Sequence, residues 1–362
     1  MNLVIDGIIY NLQAHGGISR IFTEILPRMC QQDKSLNIDL LMTGKSKQIL
    51  PSHSNIHVKT IPSVIRLLKP DIVWQGIVSK IKTLWQQSII GNSEDKIWHS
   101  TYYSMPENWK GKVVVTVPDL ASEFYPQLFN APGSELFREH KRQCILSADA
   151  VICISKSTQK DVIEYYGINS GNIRVVPLAC GDIFQEGEYP LRSKPFLLYV
   201  GSRSHYKNFK LLVDAYHKWE RKKDVNLVVA GYGWSEEELE YNQSITLIEN
   251  PNDITLTVLY NQAAALVYPS LYEGFGIPLL EAMACGCPIV ASNIPSTLEI
   301  ARECPIYFDS KDIGGLVSAF DAIIDEGRKS QRTKDGLDRV KDYSWDKTAR
   351  QTLEIYHHLK KR

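Results

Sequence analysis

Short, largely apolar runs rich in β-branched residues recur along the whole chain, and stretches with helical spacing separate them. In the first half they are LVID (3–6), IDLLM (38–42), IHVKTI (56–61), VVVTV (113–117), AVICI (150–154) and IRVVP (173–177). In the second half they are FLLYVG (196–201), NLVVAG (226–231), ITLIE (245–249), ALVYP (265–269), PIVAS (288–292) and PIYFD (305–309). A strand wetted on one face alternates polar and apolar residues; continuous runs fit strands covered on both faces, and parallel strands need helical crossovers between them. The pattern predicts α/β layers with doubly wound parallel sheets.

The chain has 362 residues, more than one hydrophobic core usually serves. The segment ACGDIFQEGEYPLRSKP (179–195) is rich in Gly, Pro and charge and has no period, so the hinge belongs there. The expected organisation is two Rossmann-like domains facing across a cleft, residues 1–180 and 181–345. A tail helix over 346–362, capped by Ser344, then packs on one of them, with the N-terminal domain as the return point.

Lys+Arg and Asp+Glu both number 41, which argues against a nucleic-acid binder and its basic excess. Seven cysteines without a C-x-x-C pair read as reduced core residues of a cytoplasmic protein. MNLVIDGIIYNL carries Asp6 early and lacks a basic leader, so it reads as a first strand and not a signal peptide. No apolar run approaches the roughly 20 residues of a membrane span. Residues 63–85 alternate apolar residues with Arg66, Lys69, Lys80 and Lys82. That pattern allows peripheral contact with an anionic membrane, although packing on the first sheet is the plainer expectation.

The chemistry concentrates in PSLYEGFGIPLLEAMACGCPIVAS (269–292). A strand runs into a glycine-rich turn, Pro278 suits the first turn of the next helix, and Gly286 suits its left-handed end. Glu273 therefore sits at the carboxyl end of a strand, before a helix start whose free amides favour an anion such as phosphate. Glu281, deeper in the helix, is placed to accept from vicinal hydroxyls of a ribose. Either carboxylate alone reads as a solvated side chain; the glycines, the strand end and the apolar setting together favour a site.

Glu273-x7-Glu281 within EGFGIPLLEAMACGCPIVAS resembles the E-x7-E signature of retaining GT-B glycosyltransferases of family 4. HGGISR (15–20), VICISKST (151–158), IRVVPLAC (173–180), LLYVGSRSHYKN (197–208) and VVAGYGWSEEELE (228–240) extend the resemblance over nearly the whole chain. It implies that Glu273, with the amides of Gly274, Phe275 and Gly276, binds the donor sugar and that Glu281 holds the nucleotide ribose. It also implies that amides near Leu279 and Leu280 face the diphosphate, and that Gly16 and Gly17 lie against the donor.

Leaving-group stabilisation needs positive charge beside the departing diphosphate. Arg203 and Lys207 follow a strand end, and the chain contains no D-x-D to hold a divalent ion. No metal or cofactor is therefore expected. The family arginine directly follows the strand-end glycine; here Ser202 stands there and Arg203 comes one later. The family also has His-Asp after VVVTV, where this chain has Pro118-Asp119. Asp119 is a candidate for orienting the acceptor or for capping a helix. His99 and Tyr103, at the end of another expected strand (IWHSTYY), are candidates for sugar contacts.

The resemblance implies hexosyl transfer from a nucleoside diphosphate sugar, UDP-glucose first and GDP-mannose second, to a saccharide or lipid-linked saccharide in cell-surface polysaccharide synthesis. A sugar-nucleotide epimerase and a non-catalytic partner subunit of the same fold stay open as alternatives. A dinucleotide oxidoreductase lacks its G-x-G-x-x-G, since Gly231-Tyr232-Gly233 runs on into Trp234-Ser235-Glu236.

Overall fold

The computed structural model describes the chain except residues 15, 62–90, 191–193, 236, 237, 239, 242, 243 and 362. The basic stretch 63–85 thus lies outside the described residues. One sheet holds β1 (Asn2–Asp6), β2 (Asn37–Thr43), β3 (Ile56–Ile61), β4 (Lys96–Ser100), β5 (Lys112–Val117), β6 (Ala150–Cys153) and β7 (Ile173–Val175). The other holds β8 (Phe196–Val200), β9 (Asn226–Gly231), β10 (Thr246–Glu249), β11 (Ala265–Tyr268), β12 (Ile289–Ser292) and β13 (Ile306–Phe308).

Their orders are β3-β2-β1-β4-β5-β6-β7 and β10-β9-β8-β11-β12-β13, and every pairing is parallel. β6, β11 and β12 are buried at all positions, as continuous apolar runs require when helices cover both faces. In each sheet the winding reverses beside its first strand, between β1 and β4 and between β8 and β11. Helices leave these points toward opposite faces, so a crevice opens at the strand carboxyl ends. The two crevices face each other, and that juxtaposition positions the site.

The connection between the sheets is tied to the second domain. Phe184 is buried edge-on to Tyr260, and the Gly187 amide donates to Asn261 Oδ1 at 2.9 Å. The last helix, Trp345–Lys360, starts at Ser344, whose hydroxyl accepts from the Lys347 amide. It packs on the Gly17–Gln32 helix of the first domain, where Thr348 Oγ1 donates to the Pro177 carbonyl at 2.7 Å. All seven cysteines are free and six are buried. Among the described residues no helix is long and apolar enough to cross a membrane.

Candidate active site

β11 delivers the chain into residues 269–276, and the helix Ile277–Ala284 follows with Pro278 in its first turn. Gly276 adopts φ +114°, a region that side chains disfavour. Gly274 is needed for a different reason: a Cβ there would stand 1.9 Å from the Pro118 carbonyl oxygen of the first domain. The bare backbone lets the two domains touch. Its own carbonyl accepts from Ser155 Oγ at 2.6 Å and Thr158 Oγ1 at 3.2 Å, also from the first domain.

Beside this loop, Lys207 Nζ lies 2.7 and 2.8 Å from the two carboxylate oxygens of Glu273. Ser270 Oγ donates to the same carboxylate at 2.7 Å. Lys207 comes from the turn His205–Lys207 that follows β8, so the pair forms across the switch point of one sheet. Burial acts to lower the ammonium pKa, but Glu273 outweighs it and the net shift is upward, keeping Lys207 cationic. The pair borders a cavity of about 380 Å³, lined also by Gly17, Asp119, Tyr206 and Gly274.

A second cavity, of about 390 Å³, is lined by Gly16, Arg20, Gly231, Asn250 and Glu281. Both cavities share Gly17, Gly201, Ile277 and Pro278, so they form one continuous crevice. Glu281 accepts from Arg20 Nη1 at 3.1 Å and from the Tyr260 hydroxyl at 2.8 Å. Arg20 Nη2 reaches Asp253 at 2.5 and 2.6 Å. Burial pushes the Glu281 carboxyl up to about 7, although Arg20 and Tyr260 pull it down. Arg20 joins the site although nothing local in the sequence marks it as a carboxylate partner. Its only early signal is its place in the first turn of a helix that opens on Gly16-Gly17.

Gly16, Gly17, Asp119, Lys207, Glu273, Gly274, Phe275, Gly276 and Glu281 therefore converge on one crevice. Asp119 also closes a local turn, its Oδ1 accepting from the Ala121 amide at 2.9 Å. Other candidates stand elsewhere. Arg203 is held by Glu238 at 2.9 and 3.0 Å and by the carbonyls of Tyr232 and Gly233, with its guanidinium 4.7 Å from the Trp234 ring. Those partners occupy its donors beside Gly231 and Tyr232, which line the second cavity.

His99 is wholly buried between Thr116 Oγ1 and the Tyr356 hydroxyl, and burial drives its pKa down to about 3. It sits within β4, so its ring goes to the sheet face under the last helix. Tyr103 is buried with Lys141 Nζ 4.9 Å from its ring centre. Leu279 and Leu280 bury their side chains in the core, and the Leu279 amide already donates to the Gly276 carbonyl at 3.0 Å.

The family model described as Glycosyltransferase Family 4 matches residues 47–179, and that described as Glycosyl transferases group 1 matches residues 184–336. Over 284 residues the chain is 26% identical to O-antigen chain mannosyltransferase B of Escherichia coli, covering 73% of this chain and 74% of that protein. It is 28% identical over 298 residues to the serotype-specific mannosyltransferase WbdA of Escherichia coli, covering 72% of this chain but only 36% of WbdA. Among solved structures, sucrose-phosphate synthase from Thermosynechococcus elongatus superposes with a TM-score of 0.77 at 19% identity, over 99% of this chain and 98% of that one. The last similarity speaks for the fold.

Proposed function

Because the chain belongs to the family 4 glycosyltransferases of GT-B fold, we propose that it moves a hexose from a nucleoside diphosphate sugar to a saccharide acceptor, with retention at the anomeric carbon. The mannosyl-transferring relatives favour GDP-mannose over UDP-glucose and a role in surface polysaccharide synthesis. The observation that carries this reading is the Lys207–Glu273 pair at the mouth of the same crevice that holds Glu281.

In this reading Glu281 takes the ribose hydroxyls. The start of the helix Ile277–Ala284 and Lys207 stabilise the departing diphosphate, and no divalent ion is required. Glu273 orients the hexose hydroxyls and holds the lysine beside the leaving group. Glu273 is engaged by Lys207 and Ser270, which ill suits it to act as a nucleophile on the far face of the sugar. Departure and attack on one face, with the acceptor proton passing to the diphosphate, fits the arrangement best. Domain closure keeps water from competing. Asp119, facing the cavity from the first domain, orients the acceptor hydroxyl.

The test is a screen of GDP-mannose, UDP-glucose, TDP-glucose and ADP-glucose for release of free nucleotide and for a rise in melting midpoint. GDP release from GDP-mannose, unaffected by a chelator, is expected. No turnover of any donor, or an isomerised sugar nucleotide in place of a new glycosidic bond, overturns the reading.

A further inference from the structure

A string of aromatic rings drawn from both domains leads outward from the Lys207–Glu273 pair. Lys207 Nζ lies 5.1 Å from the centre of the Tyr206 ring, which itself lines the catalytic cavity. Tyr206 is stacked with Tyr125 at 6.0 Å and lies 6.1 Å from Phe129. Tyr125 leads to Tyr272 at 6.3 Å, Tyr272 to Phe124 at 5.2 Å, and Phe124 to Tyr165 at 5.9 Å. The outer rings are open to solvent: Phe124 is 41% exposed and Tyr165 50%.

Rings that served only to join the domains would be covered at their contact. Tyr272 does serve that purpose, since its hydroxyl donates to Asp161 at 2.9 Å and accepts from the Leu120 amide at 3.0 Å. Phe124 and Tyr165 remain uncovered beyond it. The ledge is also stiff. Beneath the short helix Ala121–Phe124, Lys141 Nζ meets Glu123 at 2.9 Å with both side chains almost fully buried, and the Tyr166 hydroxyl donates to Glu123 at 3.0 Å. A pre-set surface of this kind loses little freedom when a ligand settles on it.

Resting on the proposed glycosyl transfer, we infer that this ledge is an acceptor subsite for a saccharide chain. It holds at least two sugar residues behind the one being glycosylated, so the acceptor is an oligosaccharide and not a single sugar. The chemistry fits. A pyranose presents an apolar C–H face and a rim of hydroxyls; exposed rings offer the matching faces, and phenol hydroxyls offer polar edges. Each ring-to-ring step is comparable to the repeat of a sugar residue in a glycan. The ledge also begins at the cavity where the sugar is transferred, which selects a glycan over other amphipathic partners.

The experiment uses the full chain, the donor identified in the screen above, and α-linked mannose oligosaccharides of increasing length, from the single sugar upward. For the unaltered protein, KM for the acceptor falls as length grows. Phe124→Ala and Tyr165→Ala raise KM for the longer acceptors about tenfold. They leave the single-sugar acceptor, donor hydrolysis in water and the melting midpoint unchanged, while Phe124→Trp and Tyr165→Phe keep the length dependence. Equal losses at every length, or parallel losses of donor hydrolysis and midpoint, mean that the rings only pack the domains together, and the inference fails. It fails also if the unaltered protein hydrolyses donor yet shows no gain with acceptor length. A protein that turns over no nucleotide sugar sinks the transfer reading and this inference with it.

Discussion

Glu273 and Glu281 lie on one continuous loop and helix, yet their charge partners come from different places. Glu273 is paired with Lys207 of its own domain, across the switch point between β8 and β11. Glu281 is paired with Arg20, which arrives from the first domain on the Gly17–Gln32 helix. Both ends of the crevice are lined from two domains, but the Lys207–Glu273 pair is made inside one of them, whereas the Arg20–Glu281 pair is completed only when the two domains meet. The difference separates two jobs, since a within-domain pair is set before a donor arrives, whereas a cross-domain pair couples occupancy to closure.

The largest effect is expected at the first end. Glu273→Ala or Lys207→Ala should each lower kcat by about 10²–10³-fold, the range for losing one pre-set electrostatic contact to developing charge. The double variant should be scarcely worse than either, because groups that act as a unit are not additive. Steady-state kinetics beside a thermal melt checks this; near-normal kcat in both single variants removes the pair from the mechanism.

At the second end the expected effect is smaller and falls on binding. Arg20→Ala leaves Glu281 and Asp253 facing each other without their cation, so donor KM should rise about tenfold, a change of roughly 1.4 kcal/mol. Arg20→Lys should not restore it, because the guanidinium serves the two carboxylates with separate nitrogens. A fall in kcat with KM unchanged would erase the contrast between the two ends.

How far such a site is legible in sequence follows from where its partners lie. Parallel strands covered on both faces are continuous apolar runs, so the sheets could be read directly. E-x7-E is equally visible because loop, helix start and both carboxylates are local. Arg20 was missed because its partners stand 233 and 261 residues away. The partners of Arg203 are hidden for a related reason. Being near a strand end says nothing of Glu238 and Trp234, which claim its guanidinium. His99 is hidden by its strand, since β4 is buried on both faces and the ring meets Thr116 and Tyr356 instead of the crevice at the strand ends.

The raised pKa of Glu281 sharpens the contrast further. Arg20, Asp253 and Tyr260 surround this carboxyl, and burial, the largest influence, lifts it to about 7. Folded Glu281 therefore holds its proton more tightly than the unfolded chain does. The stability this contributes is complete below the ordinary value of 4.5 and is lost as pH rises through about 7. Ribose binding has the opposite sign, because an ionised carboxylate accepts from both hydroxyls. Donor KM should fall as pH rises through about 7, while the melting midpoint declines. Glu281→Gln should flatten both profiles; persistence of both slopes in that variant would assign the titration to another group.

The smallest effect lies outside the crevice and asks whether closure itself is tuned. The helix Lys156–Tyr166 of the first domain has its opening amides capped by a carboxylate from the second. Glu299 accepts from the Lys156 amide at 2.8 Å and from the Ser157 amide at 2.9 Å. A carboxylate there satisfies orphan donors and meets the positive end of the helix. Because cap and helix belong to different domains, the contact exists only when they touch. Glu299→Ala should weaken the closed form by about 1 kcal/mol, the usual worth of a cap. Scattering or a pair of distance labels should show more of the open form without donor, and saturating donor should restore closure. The midpoint should move by no more than about 2–4 °C, the shift that such a loss produces in a domain of this size. Unchanged interdomain distances with a lowered midpoint would make Glu299 a stabiliser of one helix and not a determinant of closure.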